Sequence, residues 1–165
     1  MRIVSLLHLA AALVALAAGA WVLWRPKGTA VHRRTGWVYA AAMLLLNATA
    51  LLIYRLTGAF GPFHGAALVS LATLAGGLVP AVRRRPRHSW IEWHYFMMSY
   101  SYLGLVAAAF AETVTRVPAL RAFAGGPTPR FWGVVLAASL LIFAVGDRMI
   151  RRRLRPTLRP FRPAA

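Results

Sequence analysis

Four histidines, His8, His32, His64 and His94, stand near the amino-terminal ends of four successive apolar stretches. Neutral imidazole is a good iron ligand, and an ionisable side chain inside a membrane span is a functional candidate by default. On a helix, Ala12, Ala15 and Gly19 follow His8 along one face, and Gly36, Tyr39 and Met43 follow His32. Small residues one to three turns from a ligand leave room for a flat macrocycle, and a tyrosine hydroxyl can hydrogen-bond its edge. The chemistry this pattern suits is two non-covalent haem b groups, one held by His8 and His64 and the other by His32 and His94. Gly19, Gly36 and Tyr39 would pack against them. The face of His94 is bulkier, with Met98, Ser101 and Tyr102, which counts against that site. The plain alternative is that the histidines are interfacial anchors and the glycines and alanines serve close helix packing.

Other chemistry has thinner support. His88 and Glu92 are four apart and could share a helix face, but His94 lies two beyond and points elsewhere, a poor spacing for zinc. Glu112 and Arg116 are spaced to pair on one helix, and Asn47 sits at mid-span, where an amide bonds a neighbouring helix. The chain has no cysteine, which excludes disulfides, thiolate metal sites, iron–sulfur clusters and covalently attached haem. It has no hydrolytic or nucleotide-binding motif.

The elements that must position these side chains are set by composition. The 165 residues are 59% hydrophobic and 14% charged, with a formal net charge of +17. An ordinary soluble domain carries about 25% charged residues, and a disordered chain needs low hydrophobicity. Five stretches lack Asp, Glu, Lys and Arg, and the expected fold is all-α: a polytopic membrane protein of five transmembrane helices over about 3–24, 35–56, 62–82, 90–112 and 131–150. Residues 1–150 form the membrane domain, and 151–165 form a basic tail rich in Pro and Arg. Trp21, Trp24, Trp37, Trp90, Trp93 and Trp132 flank the spans as an aromatic belt.

Charge sets the orientation. Arg25, Lys27, Arg33, Arg34, Arg83, Arg84, Arg85 and Arg87, with seven more from Arg148 to Arg162, alternate with only Arg2, Arg55, Arg116, Arg121 and Arg130 on the other side. The positive-inside rule then puts the amino terminus outside and the carboxyl terminus in the cytoplasm of a cell membrane. A cleavable signal ending at Ala18-Gly19-Ala20 is the competing reading, but Trp21 to Trp24 carry the apolar run on to a basic flank. Topology explains most of the positive charge, so no nucleic-acid partner is expected. The tail, broken by Pro156, Pro160 and Pro163, is expected not to form a long helix and to lie along anionic lipid.

Within this frame, Pro62 opens the third helix, Ser89 and Glu92 form a capping-box pattern for the fourth, and Gly28-Thr29 starts the second. His8 precedes Gly19 by 11 residues and His64 precedes Gly76 by 12, each followed by a basic loop and another histidine. Two such hairpins would be related by an axis along the membrane normal and form a four-helix core. The two histidine pairs would then lie roughly 15 to 20 Å apart, one near each face.

The run Lys27-Gly28-Thr29-x-x-His32-Arg33-Arg34-x-Gly36-x-x-Tyr39, with Phe63-His64 and His94-Tyr95-Phe96-Met97-Met98-Ser99, resembles a bacterial family of predicted membrane proteins, domain of unknown function 2306. The likeness covers about residues 6–112. It implies a small helical bundle in the membrane and no assigned reaction. Two-haem cytochromes of the b561 sort are similar in architecture, which is fold analogy alone. The functional expectation is a haem b transmembrane electron carrier whose partners are quinones or redox proteins. The alternative is a cofactor-free scaffold, partner subunit or small transporter.

Overall fold

The computed structural model describes residues 2–54, 58–87, 89–124 and 128–161. Among them there is no strand. The helices are α1 (Arg2–Trp24), α2 (Ala30–Ala50), α3 (Pro62–Arg83), α4 (Trp90–Arg116), α5 (Pro118–Ala124) and α6 (Pro129–Leu158), with a 3-10 turn at Arg159–Phe161. Ile3–Trp24, Pro62–Arg83 and Pro129–Leu158 are long and apolar enough to cross a membrane. α2 and α4 are diluted by His, Asn, Ser, Tyr and charged residues, so the membrane-protein class rests on three such helices.

Local chemistry explains most helix ends. Thr29 caps α2 by accepting from the His32 amide at 3.1 Å, and Thr128 caps α6 by accepting from Phe131 at 3.4 Å, with Pro129 in the first turn. Ser89 precedes α4 as expected, yet its side chain makes no capping bond. Its ψ of −4° takes it out of the extended conformation that a capping serine needs. α2 stops at Ala50, short of the expected 56. The Thr49 hydroxyl bonds back to the Leu45 and Leu46 carbonyls, and Leu52 and Ile53 close on Thr49 and Ala50 three residues before them. Such back-bonding loosens the α-helical ladder.

α1 packs chiefly on α2 and α3 on α4, while α2 meets α3 and α1 meets α4, which closes a ring of four antiparallel neighbours. α1 and α3 therefore lie on one diagonal, α2 and α4 on the other. α6 packs outside the ring against α4. The core is lined with small residues, among them Ala11, Ala15 and Ala18, around Tyr39, Met43, Leu74 and Leu105. Large apolar side chains such as Leu6, Leu13, Leu52, Val69, Leu136 and Leu141 face outward, as they do in lipid. Polar bonds cross the interior: Asn47 Nδ2 donates to Ser70 Oγ at 3.1 Å, and the Tyr39 and Ser101 hydroxyls meet at 2.9 Å.

The expectation that the prolines keep the tail out of a long helix is corrected. α6 runs on through Arg151 and Pro156 to Leu158, which is buried. Pro156 lies inside this helix and gives up the bond its missing N–H would have made to the preceding turn. Phe161 then lies over Gly28, its ring 3.0 Å from where a Cβ would stand. The glycine that faces α4 closely in the second hairpin is Gly77, against Met98, one residue past the Gly76 of the repeat pattern.

Candidate functional site

The two histidine pairs occupy opposite ends of the ring, on its two diagonals. At the end holding the α1–α2 loop, His32 on α2 and His94 on α4 bring their ring centroids to 6.2 Å with planes at 86°. His94 Nδ1 lies 2.9 Å from the Gly77 carbonyl. A carbonyl only accepts, so Nδ1 carries the proton and the Nε2 lone pair is left unprotonated in the neutral ring. This is the orientation given to metal-bound histidines by a carbonyl behind them. His32 Nδ1 is buried without a hydrogen-bond partner. Around the pair, Lys27 Nζ donates to the Val22, Leu23 and Arg25 carbonyls at 2.6, 2.9 and 3.2 Å, and Arg33 donates to the Gly28 carbonyl at 2.8 Å. Burial first, and then the nearby Arg153, hold the Lys27 ammonium below its ordinary pKa.

At the other end, His8 and His64 are held by separate partners. His8 Nδ1 lies 3.0 Å from Thr49 Oγ1. That hydroxyl's proton already serves the Leu45 and Leu46 carbonyls, so His8 donates and Thr49 accepts. His64 is fixed in the opposite tautomer. The Gly61 backbone N–H donates to His64 Nδ1 at 3.1 Å, which caps α3 and leaves the proton on Nε2. His64 is 4% exposed, its Nε2 has no hydrogen-bond partner among the described residues, and the rings of Tyr54 and Phe60 flank it at 4.4 and 5.1 Å. A buried donor left without an acceptor costs about 1 to 3 kcal/mol. The spacing Gly61-Pro62-x-His64 carried this cap in the sequence, with histidine in the place usually taken by Glu or Gln.

The expected packing residues divide. Gly19 is filled against, since a Cβ there would run into the Tyr102 ring, with Tyr39 beside it. Gly36, one turn from His32, meets nothing within 4 Å. Tyr39 is buried and bonded to Ser101, and Tyr102 reaches the Leu16 carbonyl at 3.3 Å. Glu112 and Arg116 pair through a 2.6 Å bond, as their spacing predicts. Asp147 accepts from Tyr100 and from Arg151, joining α4 to α6. His88 lies outside the described residues, and among those described no three His, Cys, Asp or Glu side chains gather as a metal group.

An all-helical bundle with an apolar exterior, small residues at its helix contacts and ionisable groups turned inward defines a membrane protein. The chain belongs to the family of predicted membrane proteins called domain of unknown function 2306, which it matches over residues 5–150. Comparison with curated proteins and with solved structures gives no match. The analogy to two-haem cytochromes finds no support in these comparisons.

Proposed function

We propose that this protein is a transmembrane electron carrier that holds haem b between His32 and His94. The spacing of the two rings carries the proposal. A metal–imidazole bond is about 2.0 to 2.1 Å, so two imidazoles bound in line on one metal have centroids roughly 6 Å apart. The 6.2 Å separation fits this, and the Gly77 carbonyl behind His94 fixes the tautomer a ligand needs. Gly36 leaves the face of α2 beside His32 clear of side chains. Bound haem supplies reversible one-electron chemistry, while the protein's residues orient the imidazoles and exclude water. His8 and His64 are assigned no iron in this reading, because the bond from Gly61 leaves His64 with an N–H edge where a second ligand would need a lone pair.

The carrier would span the cell membrane five times, with the amino terminus outside and the His32–His94 end at the cytoplasmic face. Anionic lipid would meet the arginines of α6, and quinones or redox proteins would exchange electrons with it. A specific observation favours the alternative of a cofactor-free scaffold or partner subunit: Tyr102 against Gly19 and Tyr39 on Ser101 already fill the middle of the bundle. Expression with ample haem and mild purification decides between them. The carrier shows a Soret band that His32→Ala and His94→Ala each abolish; a colourless protein supports the scaffold.

A further inference from the structure

We infer that the aromatic cluster at the opposite end of the bundle is a binding site for a quinone headgroup, with His64 Nε2–H as the donor to one quinone carbonyl. The inference deepens the electron-carrier reading by naming its membrane-soluble partner. It stands on different residues.

The tautomer of His64 is dictated by the backbone, because an amide N–H can only donate and Gly61 donates to Nδ1. The proton is thereby confined to Nε2, a buried atom without a hydrogen-bond partner among the described residues. A ligand for this edge must bring an acceptor atom, as a quinone carbonyl does. It must also tolerate aromatic walls. Tyr54 and Phe60 flank the imidazole, and they are themselves 43% and 63% exposed, so a ring that displaces one of them would reach the buried Nε2 from the outside of the bundle. One fixed donor within an apolar, aromatic lining is the usual design of a small-molecule site. His64 is the third residue of α3, which sets the cluster at interfacial depth beneath the aromatic belt. A flat apolar ring with carbonyl oxygens, delivered from lipid, has this chemistry. A metal does not, because the available edge carries a proton rather than a lone pair.

The test titrates the purified full-length protein in detergent with a short-chain naphthoquinone, following binding by calorimetry and by quenching of tryptophan fluorescence. Haem-loaded and haem-free preparations are both used. Saturable binding is expected. His64→Leu should weaken it at least about tenfold, the loss for removing the one hydrogen bond that orients a ligand. His64→Gln should restore most of the affinity, because its amide also donates. Phe60→Leu, at a largely exposed position, should weaken binding with the fold intact, and it stands in if His64→Leu does not fold. Unchanged affinity in either variant, or no saturable binding by the parent protein, overturns the site. Loss of haem in His64→Gln would make His64 an iron ligand and overturn it also, while leaving the carrier reading in place. A colourless protein that binds the quinone would refute the carrier reading and keep this one.

Discussion

Tyr39 and Ser101 join the diagonal helices α2 and α4 through one buried bond, and Gly19 lies beside it under the Tyr102 ring. The value of such a residue is set by what it faces. Tyr39→Phe leaves the Ser101 hydroxyl without its partner, and the expected loss is about 1 kcal/mol, read from denaturant unfolding in detergent. Gly19→Ala drives a methyl into the Tyr102 ring, an overpacking that costs about 1 to 3 kcal/mol. Gly36→Ala meets no neighbour and removes backbone entropy from the unfolded chain, so it should be neutral or stabilising by up to about 1 kcal/mol. Equal losses at the two glycines would contradict the packing described. In the sequence Gly19 and Gly36 carry the same signal, a small residue a few turns from a histidine. Only the partner helix separates them, since it brings Tyr102 to one and nothing to the other.

At the scale of the helix, α2 shows how far local chemistry reaches. Its start was legible, because Gly28-Thr29 offers a cap and Thr29 takes the His32 amide. Thr29→Ala should cost about 1 kcal/mol, seen as a lower melting temperature with unchanged helix content at low temperature. Its end was not legible, because apolar residues continue past Ala50 while the Thr49 hydroxyl turns back on the helix and receives His8 from α1. Asn47 binds α2 to α3 through Ser70, and Asn47→Leu should weaken that contact by roughly 0.6 kcal/mol, the mean for such bonds in membranes. A larger drop on Ser70→Ala in the Asn47→Leu background than in the parent would show that the two do not act as a pair. The carboxyl end of α6 taught the opposite lesson. Prolines suggested a broken tail, yet α6 carries Pro156 within it and buries Leu158 at its end.

For the whole molecule, the proposed orientation of the five spans rests on the alternation of arginine-rich and arginine-poor connections. A reporter fused within residues 83–88 should be active only on the cytoplasmic side, and periplasmic activity there would reverse the topology. Phe161 on Gly28 brings the carboxyl end of α6 back to the α1–α2 loop, beside the His32–His94 end. Removing residues 151–165 should therefore raise hydrogen exchange at Gly28 and Thr29 while leaving the α1–α2 core unchanged; exchange confined to the cut end would place the tail elsewhere.

The sequence by itself determined that the protein is helical, belongs in a membrane and carries histidines at four helix starts, because length, charge and apolar runs are additive along a chain. It also determined the local bonds, the Thr29 cap and the Glu112–Arg116 pair, since both partners lie within one helical turn. The tertiary structure decided what each histidine touches. Gly77, seventeen residues from His94, supplies the carbonyl that fixes one tautomer, and Thr49, forty-one residues from His8, supplies the hydroxyl that holds another. Tyr54 and Phe60 flank His64, and His32 finds His94 at a separation that suits a shared metal. Protonation and ligand geometry depend on atoms within about 3 to 6 Å in space. Helix packing brings those atoms together from parts of the chain that no sequence spacing relates.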